Sequence, residues 1–155
     1  MDCQVRLVEG YPDDELVSQL KRLASEVTGF DLPFFQAQLQ GREKVLCCFA
    51  FSEELMIGYK IGFQDKPGYF ESWIGGVDPK YRRKGVASAL INAQHDWCRN
   101  AGFRIVSTIN EGDNRAMLIA NLRAGFEICG TFWDRRSILK VMLQKFLQER
   151  PKTGE

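Results

Sequence analysis

Three β-branched and aromatic runs, "KVLCCFAF", "LMIGYKIGF" and "YFESWIGGV", follow one another over residues 44–77 with only "SEE" and "QDKPG" between them. Connections this short leave no room for a crossover, so the runs predict an antiparallel meander, with Lys66-Pro67-Gly68 as one of its turns. A meander leaves apolar faces that other elements must cover, and the flanking sequence supplies helices.

Before the meander, residues 4–9 read as a short strand. "YPDDELVSQLKRLASEVTG" then repeats apolar residues at helical spacing, with Asp13 or Asp14 as cap and Gly29 as stop. "PFFQAQLQG" starts at Pro33, which a first helical turn tolerates, and ends at Gly41. After the meander, "KGVASALINAQHDWCRNAG" places Val86, Leu90, Ala93 and Trp97 on one stripe and closes at Gly102. "FRIVSTI" is a strand, "DNRAMLIANLRAGF" a helix capped by Asp113 or Asn114 and stopped by Gly125, and "FEICGTFW" another strand. In "RRSILKVMLQKFL", Leu139, Val141 and Leu143 alternate while Ile138, Met142 and Phe146 keep helical spacing; the alternation predicts a strand. The order β-α-α-β-β-β-α-β-α-β-β makes this an α/β chain, one domain over residues 1–150 with a polar tail at 151–155.

A net charge of +1 on 155 residues argues against a nucleic-acid or polyanion binder, so any anion site must be local. No apolar run approaches the roughly 20 residues that span a bilayer, and "MDCQVRLVEG" has neither the basic nor the apolar region of a signal peptide, which predicts a cytoplasmic protein with no membrane partner. The five cysteines are odd in number, form no CxxC and lie mostly in apolar segments; with a single histidine, they predict reduced, buried thiols and no metal site. His95, mid-helix beside Asp96, reads as a surface residue, and Cys129 as a core residue.

The local anion site is suggested by "VDPKYRRKGVASAL" at residues 77–90. A strand stops at Pro79, and a tight loop leads into a helix whose first turn holds Gly85, Val86, Ala87 and Ser88. Unpaired N–H groups at such a helix end attract anions, and small side chains let a phosphate reach them. Lys80, Arg82, Arg83 and Lys84 add attraction that solvent screens. A P-loop needs GxxxxGK[ST] and a dinucleotide fingerprint needs GxGxxG, and neither spacing is present.

Arg82-x-x-Gly85-x-Ala87, preceded by Val77-x-Pro79, resembles the acyl-coenzyme A signature [QR]xxGx[GA] of the GNAT N-acetyltransferases. Asn114, Ala120, Gly125 and Phe126 resemble that family's second signature, and the element order matches its fold over essentially the whole chain. The resemblance implies the GNAT fold, a central mixed, mostly antiparallel sheet of about six or seven strands flanked by about four helices. It implies acetyl-CoA as co-substrate, with no metal, its pyrophosphate on the backbone of Arg82, Arg83, Lys84, Gly85, Val86, Ala87 and Ser88. It also implies that the pantetheine arm pairs against Gly75, Gly76 and Val77, that Asn114 touches that arm, and that the strands at 69–77 and 104–109 splay apart around it. Adjacent glycines in a strand, read on their own, mark a bulge or a close backbone approach.

Acyl transfer to an amine requires a neutral amine, a donor for the developing oxyanion, and an exit for the thiolate. The oxyanion donor is expected to be a strand amide near Gly76 or Val77. Glu71 stands eleven positions before Arg82, where histone-type members of the family carry their catalytic glutamate, and strand alternation puts it on the face of Trp73. Seven positions after Asn114, where many members carry the tyrosine that protonates the thiolate, stands Asn121, which is no acid. The thiolate then leaves unprotonated or through water, or Tyr59 or Tyr81 serves, or the chain is an acyl-CoA-binding or sensing module with little turnover. For the acceptor amine, Phe30, Phe34 and Phe35 suggest an aromatic pocket, with Trp133, Arg135 and Arg136 as a cationic rim suited to an amine that also bears a carboxylate. Family members are often dimers, so a homodimer is open.

Overall fold

The computed structural model describes residues 3–27 and 29–150. Seven strands, β1 (Gln4–Glu9), β2 (Leu46–Ser52), β3 (Leu55–Lys66), β4 (Tyr69–Val77), β5 (Ile105–Glu111), β6 (Glu127–Trp133) and β7 (Leu139–Phe146), form one open sheet in the order β1-β2-β3-β4-β5-β7-β6. Four helices, α1 (Asp14–Val27), α2 (Leu32–Leu39), α3 (Val86–Asn100) and α4 (Arg115–Arg123), flank it. The expected meander is β2-β3-β4, and the ambiguous last segment is strand β7, inserted between β5 and β6. Only the β4–β5 pair is parallel, as its α3 crossover requires. Asp13 caps α1 by accepting the Leu16 amide at 2.9 Å, and Asn114 caps α4 by accepting that of Met117 at 3.2 Å.

β2 shows how the sheet is held. Leu46, Cys48 and Ala50 face one core with Val86, Leu90 and Cys98 of α3, while Cys47, Phe49 and Phe51 face the other with Leu20 and Leu23 of α1 and Phe35 of α2. Both faces of the central strands are therefore buried, α3 and α4 lying over one and α1 and α2 over the other. Burial pushes the Cys47 and Cys48 thiols up to about 12 and raises that of Cys98 as well, which leaves them protonated and inert.

Two expectations are corrected. His95 is buried, 2% exposed, because α3 presents a second stripe, Gln94, His95 and Cys98, towards the core. Its ring packs on Phe126 at 5.8 Å and its Nδ1 lies 3.3 Å from Lys145 Nζ; burial first, and then the lysine, holds the imidazole uncharged with a pKa of about 3. Asp96, which suggested a surface site, pairs instead with Arg99 at 2.9 Å. Cys129 is exposed, since β6 is the sheet's outer strand and a bulge between Ile128 and Gly130 falls on it.

Between β3 and β4 the register shifts: Ile61 opposes Ile74 and Gly62 opposes Ser72, so Trp73 is an extra residue in a β-bulge. Gly62 permits that approach. A Cβ there would run into the Glu71 carbonyl and stand 2.7 Å from Phe70 Cζ. Gly62→Ala should destabilise the protein by about 3 kcal/mol, and a fall in the thermal midpoint of roughly 10 °C checks it; a shift within 2 °C would mean the bulge relaxes freely.

Lys60 of β3 extends on the α3 face, partly buried, and desolvation draws its amine down to about 8 despite the Cys48 thiol beside it. The folded pKa lies below the unfolded value of 10.5, so between the two the unfolded chain binds more protons and stability rises with pH. Lys60→Met should remove that rise and gain about 1–3 kcal/mol at pH 7. Urea unfolding of both proteins at pH 7 and pH 10 measures it, and parallel pH dependences would contradict the assignment.

Candidate functional site

β4 and β5 pair only at Tyr69–Ile105, Phe70–Val106 and Glu71–Ser107. Thr108 Oγ1 makes the last tie, donating to the Ser72 carbonyl at 3.1 Å. Above it the strands continue to Val77 and Glu111 without pairing, which is the fork that the resemblance implied. The bulge at Trp73 sits where they part, and the added twist of a bulge turns the upper half of β4 away from β5. Backbone N–H and C=O groups of β4 from Ile74 to Val77 thus lie along an open edge, a template for an extended ligand.

Gly75 and Gly76 lie on that edge, but they do not form the bulge, which falls at Trp73. Their small size answers to β3: a Cβ on Gly76 would stand 3.1 Å from the Tyr59 hydroxyl, and one on Gly75 would stand 3.3 Å from the Tyr59 carbonyl.

Beyond Val77, Asp78 and the short 3-10 turn Pro79–Tyr81 lead into the basic loop. Val77, Tyr81, Arg82, Arg83, Gly85, Val86, Ala87 and Ser88 enclose a cavity of about 190 Å³. Arg83 and Gly85 have φ of 62° and 83°, a left-handed turn of the kind that points successive amides into a concavity. Gly85 is the N-cap of α3 and offers no side chain to its first amides, which stay available to an anion. The Val86 side chain is committed to the core, so only its backbone belongs to the cradle. Lys80, Arg82, Arg83 and Lys84 are all exposed around it. This donor set fits the pyrophosphate of coenzyme A.

At the mouth of the fork lies a cleft of about 750 Å³. Phe30, Phe34, Phe35 and Trp73 line it from the α1–α2 side, and Asn110, Asn114 and Met117 from the β5–α4 side, so Asn114 both caps α4 and faces the cleft. Trp73 anchors the aromatic wall against Phe34, Phe35 and Phe63 with ring centroids at 6.1, 5.9 and 6.2 Å. Tyr59 lines this cleft and Tyr81 the phosphate cavity, which places only the former near the reacting end.

The expected cationic rim is not at this cleft. Trp133 is 69% exposed on the sheet's outer strand, and Arg135 and Arg136 lie in the turn after it, none of them lining the cleft. The charged groups of the lining are Asp31, Glu111 and Lys140, and Lys140 is shared between Glu111 at 3.4 Å and Asp134 at 3.7 Å. Sequence reading missed Asn110, Glu111 and Lys140 because strands β5 and β7 bring them together, a pairing that no local motif records.

Glu71 sits just below the fork, opposite Phe63 and Ser107, on the α1–α2 face with Trp73. It does not line the cleft, from which about 7 Å of strand separates it. Burial, and next the charge of Asp65, raises its carboxyl above the ordinary range, with Arg42 opposing. Asn121 is buried, 5% exposed, and its Nδ2 donates to Asn110 Oδ1 at 3.3 Å.

A seven-stranded open mixed sheet, forked between two parallel strands beside a helix N-terminus whose Gly85 cap has no side chain, is the frame that the acyl-coenzyme A resemblance leads one to expect. The sequence model described as the acetyltransferase (GNAT) family matches residues 14–126, and the chain belongs to that family. Among solved structures, the ribosomal-protein-S18-alanine N-acetyltransferase from Escherichia coli is similar over 98% of this chain and 99% of its own, at TM-score 0.77 and 11% identity. Ard1 from Thermoplasma volcanium covers 94% of this chain and is itself covered to 99%, at TM-score 0.76 and 18% identity. An aminoglycoside 6'-N-acetyltransferase, solved in complex with coenzyme A, covers 95% of this chain and is covered to 99%, at TM-score 0.75 and 12% identity. Among curated proteins none matches the sequence. Among the described residues no helix is long and apolar enough to cross a membrane.

Proposed function

We propose that the protein transfers an acetyl group from acetyl-CoA to a primary amine of a small molecule or peptide, by direct attack of the amine on the thioester. The observation that carries this reading is the continuity of phosphate cavity, free β4 edge and aromatic cleft along one line of the fork. In it the backbone of residues 82–88 binds the pyrophosphate, and the edge from Gly75 to Val77 binds the arm. A β4 amide near Gly76 or Val77 supports the developing oxyanion, and Asn114 holds the arm from the opposite side. Glu71 serves as general base through an intervening water, which its place below the cleft requires, and burial shifts its pKa upward, the direction that makes a carboxylate a better base.

The acceptor enters from the α1–α2 side, past the aromatic wall, where Asp31 favours a cationic ammonium at the rim while Glu111 and Lys140 offset each other. This replaces an acceptor chosen by an arginine-bound carboxylate. Acetyl-CoA should raise the thermal midpoint, and a panel of primary amines should then release free thiol at amine-dependent rates. Stabilisation without thiol release from any amine would establish the sensing module instead; no stabilisation would exclude both readings.

A further inference from the structure

Four buried side-chain polar atoms have no hydrogen-bond partner among the described residues: Nε2 and Oε1 of Gln94, Nε2 of His95, and Nδ2 of Asn110. Gln94 and His95 belong to the packed interior under α3. Asn110 differs in lining the cleft, on the free stretch of β5 just above the last β4–β5 tie. It is 7% exposed, and its Oδ1 already accepts from Asn121 Nδ2, which fixes the amide so that the N–H side is the one left over. Leaving such a donor unmet is unfavourable, and a ligand in the fork would satisfy it.

We propose that Asn110 is a catalytic residue of this transferase, its Nδ2 donating a hydrogen bond to the sulfur of the departing thiolate while Asn121 holds the amide in place. The inference rests on the acetyl-CoA reading of the fork. The amine nitrogen forms a bond to the acetyl carbon, the carbon–sulfur bond breaks, and its electron pair stays on sulfur. The amine's proton goes through water to Glu71, and the thiolate later takes a proton from solvent. Asn110 transfers none. The β4 edge supplies the donor on the carbonyl side, so a donor from the facing β5 wall meets the leaving group. A thiol near pKa 8.5 needs stabilisation of its anion more than a proton at neutral pH, and an N–H donor to an ionised acceptor is among the stronger hydrogen bonds.

Asn110→Asp is the sharpest variant, because it keeps the oxygen that accepts from Asn121 and removes the donor; Asn110→Ala is the neutral second. Both should lower kcat about 30-fold or more while leaving the acetyl-CoA midpoint shift of wild type in place. With S-acetyl thiophenol at high concentration, whose thiolate leaves readily without help, the deficit should shrink to a few-fold. An unimpaired kcat in either variant, or an equal deficit with both donors, would overturn the proposal. So would a Tyr59→Phe variant that alone abolishes the difference between donors. Wild-type protein that binds acetyl-CoA yet acetylates no amine refutes the transferase reading itself, which is a different result from wild-type turnover with fully active Asn110 variants.

Discussion

Ala87→Glu should weaken acetyl-CoA binding at least 100-fold while leaving the unliganded protein's thermal midpoint within about 2 °C. Ala87 is exposed in the first turn of α3 and lines the phosphate cavity, so the substitution costs the fold little. A carboxylate there occupies the position of the pyrophosphate, competes for the amides at the helix N-terminus and repels the ligand's charge. Removing the side chain of an exposed cation should do far less. Arg82→Ala, which gives up a 3.3 Å bond to the Val77 carbonyl as well as a charge, should weaken binding by a few-fold only, and less at high salt. Isothermal titration of the two variants orders them. If Arg82→Ala loses more affinity than Ala87→Glu, the cations form the site and the backbone is secondary.

Glu71→Gln should reduce kcat by about 100-fold or more, within the range of general-base contributions, with acetyl-CoA affinity unchanged. In the wild type, the acid limb of kcat/KM should lie above the ordinary carboxylate range, because the base acts deprotonated and burial raises its pKa. The variant should lack that limb. Glu111→Gln is the informative companion, since Glu111 does line the cleft but is engaged by Lys140 at 3.4 Å. A limb that survives in Glu71→Gln and disappears in Glu111→Gln would move the base to the rim.

What the sequence made legible follows the range of the interactions involved. The meander, the capped helices and the phosphate loop are written within short windows: turn glycines, cap residues at Asp13 and Asn114, and the Arg82-x-x-Gly85-x-Ala87 spacing. The alternation of β7 outweighed its competing helical spacing because β7 lies between β5 and β6, where two-sided pairing rewards a strand. The bulge at Trp73 escaped notice because it is a mismatch between two strands; of the two readings that Gly75 and Gly76 allowed, a bulge or a close approach, the close approach to β3 is the one found. His95 was misjudged for a related reason: the neighbouring Asp96 suggested solvent, while Phe126 and Lys145, which bury the ring, come from distant segments. The acceptor rim went wrong in the same way, since arginines near the last turn were assigned to a cleft that the insertion of β7 keeps away from β6.

On the proposed mechanism the fork holds a thioester for attack by an amine. Mass spectrometry of a reaction started with acetyl-CoA and the amine that releases thiol fastest tests it most directly. Coenzyme A and the N-acetylated amine should appear in equal amounts, both strongly reduced by Ala87→Glu. Coenzyme A released without acetylated amine, or products formed equally well by the variant, would contradict it.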